Sequence, residues 1–358
     1  MTTDVIIIGG GISGIVLSIL LKRKHIDHVV LDRVQKQKVM PLAETLPPSA
    51  MILLNELNLL ELFENKALKK TYGYHALWGN DHLRTTHFFN HNPYKYGLKI
   101  DKQVIQNELK AQITEQIIQF DTLKSLKTTS EKVSVTVNHQ KKQLAIQGKL
   151  IIDATGRNRA VLEALHIPIQ EHDTIISFSC HLPRVQHPSL VHDVFTESFA
   201  DGWGIVSGLN ENTQVLTLFT HKNTGLNKQL KDYNNWKYVL QDTHYLKHFL
   251  AIETPDTIIG SKANSSAPLY FSGDRWLAIG DAVIAYDPLS SHGITNAIYT
   301  AKKAEQCVSQ SSYTLEKYHE DLHAIFSHYL ETKDVLYKQE QRWPDNTFWQ
   351  QVQNKVLQ

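Results

Sequence analysis

The stretch DVIIIGGGISGIVLSILL, residues 4–21, decides the fold of this chain. An apolar run, Val5 to Ile8, is followed at once by three glycines in GxGxxG spacing, and the residues after them have helical potential. In such a unit the first glycine permits a tight turn, the second lets the backbone approach a pyrophosphate, and the third lets helix and strand pack closely. The stretch therefore predicts a Rossmann-like nucleotide-binding unit. The residues expected at the phosphates are Gly9, Gly11, Ser13 and Gly14.

The same apolar run could also be interpreted as a signal peptide or a membrane span. Asp4 stands where a signal peptide carries basic residues, no small-residue cleavage site follows, and the run is a little short to cross a bilayer. We therefore expect a buried strand and helix in a cytoplasmic protein that has no integral membrane segment.

A second apolar strand, HVVLDR at residues 28–33, follows the predicted helix. Asp32 lies near its end, at about the distance along the chain where an acidic residue accepts hydrogen bonds from a ribose hydroxyl, and Arg33 comes next. Strand, glycine turn, helix and acid together predict a bound dinucleotide. These residues alone leave open whether it is a nicotinamide or a flavin nucleotide.

Two later stretches favour a flavin. KLIIDATGRNRAV, residues 149–161, is an apolar strand ending in an acid and a glycine, and WLAIGDAVIAYDPLSSHGITNAI, residues 276–298, carries Gly280 and Asp281. With the first stretch, they resemble the GxGxxG, DG and GD motifs of FAD-dependent aromatic hydroxylases, in the same order along the chain. The resemblance implies FAD as cofactor. It also implies an α/β fold: a Rossmann-like FAD domain of the glutathione-reductase type with a mixed or antiparallel-sheet substrate domain.

The resemblance also assigns roles within residues 276–298. A carboxylate in an apolar run needs a partner, and by resemblance Asp281, beside Gly280, accepts a hydrogen bond from a ribityl hydroxyl of FAD. Pro288 to Gly293 would line the isoalloxazine ring, and Ile294 would follow them at the cofactor. From Gly293 the sequence predicts a helix, whose partial positive charge at the N-terminus would stabilise the reduced flavin.

A fourth stretch, AETLPPSAMILLNELNLLELF at residues 43–63, narrows the resemblance. Glu44, Pro47 and Pro48 resemble the ESLPP segment of the branch that contains tryptophan halogenases. That branch also contains flavoproteins that mature tryptophylquinone-bearing oxidases of the lysine-oxidase and glycine-oxidase type. Glu44 is therefore expected at the cofactor. A strand end followed by a helix start would also explain Leu-Pro-Pro, since proline suits the first helical turn.

Halogenases of this branch carry a WxWxIP motif and a lysine between flavin and substrate. Here DGWGIVSGL has Trp203 but lacks the second tryptophan and the proline, and KKTYGYHALWGN offers Lys69 and Lys70 too early in the chain. His292 stands before Gly293 where halogenases have serine. The sequence therefore predicts that the protein does not halogenate.

By this resemblance, the chain is predicted to be an FAD-dependent monooxygenase that hydroxylates an indole ring through a flavin C4a-hydroperoxide. The favoured substrate is a tryptophan of a partner protein, a precursor quinoprotein oxidase, during tryptophylquinone biogenesis. Hydroxylation of a free aromatic molecule, halogenation, alkene reduction of the geranylgeranyl-reductase type and a non-enzymatic flavin-holding role are the alternatives. Electrons would come from NAD(P)H or from a partner flavin reductase.

An electrophilic oxygen needs a dry cavity, and aromatic side chains suit its walls, although core packing is their more common role. The candidate walls are Trp203, Trp78, Tyr74 and Phe178. Histidine titrates near neutral pH and is therefore a candidate for proton transfer. The candidates are His292, favoured by its place in the flavin loop, His181 and His75.

The composition argues against other classes of protein. The 37 basic and 36 acidic residues nearly cancel, so no overall field attracts nucleic acid. Cys180 and Cys307 lie in no CxxC or metal-like spacing, and the 19 histidines form no HExxH motif. We therefore expect two reduced thiols, no metal site and no nucleic-acid partner.

These placements predict the domain organisation. A discontinuous FAD domain covers 1–75, 99–165 and 263–312, a substrate domain covers 76–98 and 166–262, and a helical segment covers 313–358. Within them, residues 172–222 are short β-rich runs and VSVTVNHQKKQLAIQG predicts a hairpin. Residues 228–250 and 314–339 are predicted to be helical. The aromatic residues of the tail, Trp343, Phe348 and Trp349, either pack on the body or form a partner-binding patch.

Overall fold

The strand, glycine turn and helix predicted near the N-terminus are present in the computed structural model, which describes residues 1–34 and 40–354. Strand β1 (Val5–Ile8) is fully buried, and helix α1 (Ile12–Arg23) is buried from Ile12 to Leu21. A helix that is apolar on all sides is expected in such an interior position. Residues 35–39 of the predicted FAD domain and 355–358 of the predicted C-terminal segment lie outside the described residues.

Twenty further strands follow within the described residues. They are β2 (His28–Arg33), β3 (Glu44–Leu46), β4 (Lys69–Thr71), β5 (Gly73–Leu77), β6 (Arg84–His87), β7 (Gly97–Ile100), β8 (Ile117–Phe120), β9 (Thr122–Thr128), β10 (Val133–His139), β11 (Lys142–Gly148), β12 (Leu150–Asp153), β13 (Ile169–Glu171), β14 (Ile175–Pro183), β15 (Val194–Phe199), β16 (Gly202–Gly208), β17 (Thr213–His221), β18 (Ile259–Lys262), β19 (Ser266–Pro268), β20 (Ser272–Gly273) and β21 (Trp276–Ala278). The hairpin predicted before the DG-like strand is confirmed, because β10 pairs antiparallel with β11.

The α-helices after α1 alternate with these strands. They are α2 (Pro48–Glu56), α3 (Leu60–Lys66), α4 (Lys102–Lys110), α5 (Ala160–Ala164), α6 (Leu226–Gln229), α7 (Asn234–Leu240), α8 (Gly293–Ser309), α9 (Leu315–Lys338) and α10 (Thr347–Asn354). The helices predicted from Gly293 and over 314–339 are confirmed as α8 and α9. No helix among the described residues is long and apolar enough to cross a membrane.

The continuous helix predicted over 228–250 is wrong in extent. The chain forms α6, α7 and a separate 3₁₀ turn at Leu246–Phe249 instead. The buried Glu197 carboxylate, on β15, accepts hydrogen bonds from the backbone N–H groups of His244 (2.6 Å), Tyr245 (3.0 Å) and Leu246 (2.8 Å). These N–H groups are therefore bound by a distant side chain and not by the carbonyls of a preceding helical turn.

The chain divides into two compact units. Unit 1 consists of Met1–Val39, Gln103–Glu171 and Ser266–His328, and unit 2 consists of Met40–Lys102, His172–Ser265 and Tyr329–Gln358. The predicted boundaries of the FAD domain, the substrate domain and the C-terminal segment stay a prediction.

Unit 1 is built on a six-stranded sheet in the order β20-β21-β12-β1-β2-β8. All neighbouring pairs are parallel except β20 and β21, which pair antiparallel. Strands buried on both faces are expected to be apolar, as β1 is throughout and β12 is up to its last residue, Asp153. Ligands of open parallel sheets bind at the carboxyl ends of the strands, which here include the glycine turn after β1.

Unit 2 contains a seven-stranded sheet in the order β18-β14-β17-β16-β15-β5-β6 and a three-stranded sheet in the order β3-β7-β4. The larger sheet is antiparallel apart from the parallel pair β15 and β5. Its core includes Phe195, Leu216 and Trp236. The predicted fold class, α/β with a mixed or antiparallel second sheet, is confirmed.

Candidate flavin site

The glycine turn between β1 and α1 has the geometry of a phosphate cradle. Gly9 has a positive φ of 117°, and a Cβ there would lie 2.2 Å from the Ala154 carbonyl oxygen. A Cβ at Gly14 would lie 2.0 Å from the Gly9 carbonyl oxygen, whereas a Cβ at Gly11 would meet nothing within 4 Å. No side chain caps the start of α1. The first N–H groups of this helix are therefore available to an anion in the open space at Gly11.

Asp32, the predicted ribose acid, lies directly against this turn. Its Oδ1 accepts a hydrogen bond from the Gly10 N–H at 3.2 Å, and its Oδ2 accepts from Lys110 Nζ at 2.6 Å and Gln119 Nε2 at 3.2 Å. A carboxylate offers about four acceptor positions, so these bonds leave capacity for a hydroxyl donor. Arg33 lies at the exposed end of β2.

The Gly280–Asp281 turn packs against the same glycine-rich segment. Gly280 has a positive φ of 61°, and a Cβ there would lie 2.8 Å from Ser13 Oγ, on the first turn of α1. The Gly280 N–H donates to Thr300 Oγ1 at 2.8 Å, and Asn296 Nδ2 donates to the Gly280 carbonyl at 3.4 Å. Ser13, Gly280 and α8 are therefore brought together in unit 1.

The apolar residues around Asp281 predict a buried carboxylate, but the Asp281 side chain is not buried. It is 37% exposed, and one of its oxygens lies 3.5 Å from Arg157 Nε. The buried acid of this stretch is Asp287, whose Oδ1 accepts from the Leu289 N–H at 2.8 Å at the start of a 3₁₀ turn. Asp281 therefore presents an accessible carboxylate, and its contact with a ribityl hydroxyl stays a prediction.

Several buried side-chain oxygens of the described residues lack hydrogen-bond partners, and two of them lie in segments predicted to contact FAD. Thr295 Oγ1 lies in the first turn of α8, which begins at Gly293, and Glu44 Oε2 lies on β3 of unit 2. Burial raises the pKa of the Glu44 carboxyl above its ordinary value. Unpaired buried oxygens are unfavourable in a protein alone. In unit 1, the unpaired Thr295 hydroxyl lies in a segment predicted to contact FAD and therefore fits a cofactor bound there.

The DG-like stretch has a structural role that sequence reasoning did not assign. Asp153 is fully buried and accepts hydrogen bonds from Thr155, Val161 and Leu162, which fixes the start of α5. Arg159 has a positive φ of 48°. Its guanidinium donates to the carbonyls of Ala282 at 3.0 Å and Ser266 at 2.9 Å. These contacts fix the chain around the Gly280–Asp281 turn.

The flavin loop itself is short and exposed. Pro288–Ser290 forms a 3₁₀ turn, Ser291 has a positive φ of 53°, and His292 precedes the first residue of α8. His292 is exposed, with its ring 6.0 Å from that of Tyr286. This position leaves the imidazole accessible, and its role in proton transfer stays a prediction.

The two other histidine candidates have structural partners in unit 2. His181 Nε2 lies 2.7 Å from the Pro41 carbonyl oxygen. His75 Nε2 accepts from the His192 N–H at 3.1 Å, so its neutral ring carries the proton on Nδ1 and donates it to Thr85. Burial and the neighbouring histidines lower the pKa of His75 to about 4. His75 is therefore uncharged at neutral pH.

The geometry of Trp203 and Trp78 favours core packing over a cavity wall. Trp203 is fully buried, stacks on Phe219 at 3.9 Å and donates from Nε1 to Tyr337 Oη at 3.0 Å. Trp78 Nε1 donates to the Leu336 carbonyl at 2.9 Å. Among the other candidate walls, Phe178 lies in the core and Tyr74 is 40% exposed.

The aromatic tail packs on the body of unit 2. Phe348 and Trp349 are fully buried, and Trp349 Nε1 donates to the Phe199 carbonyl at 3.0 Å. Both predicted thiols are free cysteines. Over the described ranges, no group of three or more histidine, cysteine, aspartate or glutamate residues is arranged to hold a metal ion.

Sequence reasoning missed Lys110 and Gln106 beside the glycine turn. Lys110 pairs with Asp32, and Gln106 Nε2 donates to the Gly10 carbonyl at 2.6 Å. Both lie on α4, whose amphipathic pattern predicts a surface helix but does not indicate which polar residue reaches the turn.

A parallel sheet with this glycine turn and acid defines a dinucleotide-binding protein. Residues 2–333 match the family described as FAD binding domain. The chain belongs to this family, and it is an FAD-dependent oxidoreductase with the fold of flavoprotein monooxygenases.

Similar proteins include enzymes of the predicted branch. The FAD-dependent oxidoreductase LodB of Marinomonas mediterranea is 24% identical over 355 residues, which cover 97% of this chain and 96% of LodB. The structure of the flavin-dependent halogenase CmlS matches with a TM-score of 0.83 at 19% identity. The match covers 98% of this chain and 68% of the CmlS chain. The structure of the peptidyl tryptophan dihydroxylase QhpG, essential for tryptophylquinone cofactor biogenesis, matches with a TM-score of 0.74 at 14% identity. The match covers 99% of this chain and 79% of the QhpG chain. At these identities the two structures are alike in fold.

Proposed function

We propose that this protein hydroxylates the indole ring of a tryptophan in a partner protein during the biogenesis of a tryptophylquinone cofactor. The observation that carries the proposal is the fold shared with QhpG, a peptidyl tryptophan dihydroxylase, over 99% of this chain. The Glu44–Pro48 segment, which resembles that of tryptophylquinone-maturing flavoproteins, and the end-to-end similarity to LodB support it.

FAD supplies the redox chemistry and the activation of oxygen when it is bound. We propose that the first turn of α1, at Gly11 and Ser13, binds the pyrophosphate and that Asp32 accepts hydrogen bonds from the ribose. Asp281 would accept from a ribityl hydroxyl. The remaining proposed contacts are Gly9, Gly14, Arg33, Glu44, Gly280, Pro288, Gly293 and Ile294.

The N-terminus of α8 would stabilise negative charge on the reduced ring, because its first N–H groups lack intrahelical acceptors. Thr295 Oγ1, buried without a partner among the described residues, would make a hydrogen bond at the same helix end. His292 is the proposed proton donor, since its exposed side chain directly precedes this helix.

Halogenation is less well supported by the geometry. The two lysines nearest the position expected in halogenases are both engaged: Lys69 pairs with Asp193, and Lys70 with Glu64 at 3.0 Å. Trp203 lies in the core and its indole N–H is bound to Tyr337. We expect no brominated or chlorinated indole product when reduced FAD and halide are supplied.

The proposed reaction is tested by co-expression with a quinoprotein oxidase precursor from the neighbouring open reading frame. Peptide mass spectrometry should find added oxygen on one tryptophan of the precursor, and the Asp281→Ala variant should abolish this addition. Asp274→Ala, at an exposed position of unit 1, is the matched control and should retain it. Full maturation of the precursor without this protein, with efficient turnover of a free indole or phenol, would favour the small-molecule alternative.

We propose NAD(P)H or a partner flavin reductase as the electron source. Oxygen uptake by the purified protein with NAD(P)H alone would identify direct reduction. Uptake that requires an added flavin reductase would identify the partner route, and the absence of substrate-dependent uptake under both conditions would contradict a monooxygenase.

A further inference from the structure

Unit 2 contains a pocket whose lining includes none of the residues proposed to contact FAD. Its volume is about 510 Å³, within the range of roughly 300–1,000 Å³ that is typical of small-molecule sites. The lining residues that matter here are Arg184, His187, Asp193, Phe195, Gly208 and Phe249. Phe195 and Phe249 are buried and provide apolar walls.

The lining of this pocket and the side chains directly behind it include more basic than acidic groups. The Asp193 carboxylate is paired with both Lys69 and Arg184. A third cation, Lys99, is fully buried and donates from Nζ to Ser207 Oγ at 2.7 Å and to the Gly208 carbonyl at 3.0 Å. Among the described residues, Lys99 has no carboxylate partner. Arg184 and Asp193 therefore line the pocket, while Lys69 and Lys99 lie behind the lining through their contacts with Asp193 and Gly208.

The lowered pKa of Lys99 reflects the unfavourable electrostatics of this arrangement. Burial, together with the nearby charges of Lys69 and Arg184, lowers the pKa of Lys99 to about 7. A bound anion would oppose this lowering, because an opposite charge favours the protonated form of the lysine. The pocket wall is therefore electrostatically suited to an anionic ligand.

Two donors on the lining have no acceptor within the described part of the chain. The terminal nitrogens of Arg184 donate to Asn210 and Asp193, whereas Arg184 Nε–H has no hydrogen-bond partner there. The Ser189 N–H donates to His187 Nδ1 at 3.3 Å, so the neutral ring carries its proton on Nε2. Arginine and histidine N–H groups are suitable donors for a carboxylate.

We propose that this pocket binds a small aromatic carboxylate. The ring would pack against Phe195 and Phe249, and the carboxylate would accept hydrogen bonds from Arg184 and His187. Lys99 would act through the Gly208 carbonyl and through its charge as a positioning residue. This inference does not depend on the proposed tryptophan hydroxylation, because it uses only the charges and walls of unit 2.

The test uses benzoate as the probe and benzamide as its neutral counterpart, titrated calorimetrically into the FAD-loaded protein. Benzoate should bind saturably with one site per chain and at least about tenfold more tightly than benzamide, as expected for a charge-assisted hydrogen bond. Arg184→Gln should weaken benzoate by about tenfold or more and leave benzamide unchanged. Lys237→Gln removes an exposed positive charge elsewhere in unit 2 and should leave both affinities unchanged.

Two further measurements keep the test decisive. Arg184→Lys retains the charge but not the guanidinium, and it should bind benzoate more tightly than Arg184→Gln but more weakly than the unchanged protein. It also provides the measurement if Arg184→Gln folds poorly. Lys99→Met should weaken benzoate binding more than benzamide binding. Equal affinity for benzoate and benzamide, or benzoate affinity unchanged in both Arg184→Gln and Lys99→Met, would overturn the proposal. Displacement of benzoate by equimolar sulfate would do the same, since it would identify an unspecific anion site.

Discussion

Asp153 in unit 1 and Glu340 in unit 2 are buried acids whose hydrogen-bond partners differ in their distance along the chain. In unit 1, Asp153 is bonded to Thr155 two residues away and to the N–H groups of Val161 and Leu162, eight and nine residues away. In unit 2, Glu340 accepts from the Ser198 hydroxyl, 142 residues away, and from the Gly79 N–H, 261 residues away. The first arrangement is contained in a short stretch of sequence, whereas the second exists only after folding.

This difference explains why the flavin motifs can be recognised in the sequence and the polar contacts of Glu340 cannot. The contacts of Asp153 and of the glycine turn use main-chain groups and fixed spacings, which leave a pattern in the sequence. The contacts of Glu340 with Ser198 and Gly79 join distant segments that only tertiary packing brings together, so no local residue pattern predicts them. Substitutions in each unit can test this comparison.

The largest expected effect is on unit 1. Gly14→Val would place side-chain atoms against the Gly9 carbonyl oxygen, since even a Cβ would lie 2.0 Å from it. We expect a loss of about 4–5 kcal/mol or failure to fold, together with loss of FAD. Thermal unfolding and the visible flavin absorbance measure both effects. Gly225→Val, where a Cβ meets nothing within 4 Å, is the control, and similar losses in the two variants would refute the argument from close packing.

The next effect concerns the long-range network of unit 2. Glu340 is buried and pairs with Arg342 at 2.7 Å, so Glu340→Leu leaves that guanidinium without its principal partner. We expect a loss of about 3 kcal/mol in the free energy of unfolding. The double variant Glu340→Leu with Arg342→Leu should recover part of it. Denaturant titration would measure each loss.

Glu331→Leu, at an exposed position of α9, is the control for Glu340 and should change stability by less than about 0.5 kcal/mol. An equal loss of unfolding free energy in the Glu340 and Glu331 variants would show that the Glu340–Arg342 pair contributes no more to stability than an exposed glutamate.

A pH effect should distinguish Lys99 from exposed lysines. Its pKa is lowered from 10.5 to about 7 in the folded protein. Between these pH values the unfolded chain binds more protons than the folded one, so this residue makes the free energy of unfolding rise with pH. Lys99→Met should reduce the rise by about 2–4 kcal/mol across this range, as measured by denaturant titrations at several pH values. Lys237→Met is the control, and an identical pH slope in the Lys99 variant would contradict the buried charge.

The smallest effect on stability is expected at Gly11. Its φ of −79° and ψ of −179° are extended backbone that any residue adopts, and a Cβ would meet nothing within 4 Å. Gly11→Leu should therefore change the unfolding free energy of the apoprotein by less than about 1 kcal/mol. It should nevertheless weaken FAD binding by more than about tenfold, because the side chain would fill the proposed phosphate space. Full flavin occupancy in this variant would contradict the assignment of the cradle.

The sequence by itself determined the flavin-binding half of this protein. The glycine spacing, the acid at the end of β2 and the strand–helix order predicted the Rossmann-like sheet of unit 1, and the sequence from Gly293 predicted the start of α8. The resemblance of three motifs to those of FAD-dependent hydroxylases predicted FAD as the cofactor. These features are local, because a turn, a close helix–strand contact and a helix end each require particular residues within a short span.

Only the tertiary structure decided how the remaining polar and aromatic residues are used. It placed Trp203 and Trp78 in a packed core, interrupted the helix predicted over 228–250 through Glu197, and buried Lys99 behind a pocket wall. In each case the deciding partner comes from a distant segment: Tyr337 for Trp203, β15 for the interrupted helix and Ser207 for Lys99. Burial and pairing depend on which strands become neighbours, and residue spacing along a single strand or helix does not specify those neighbours.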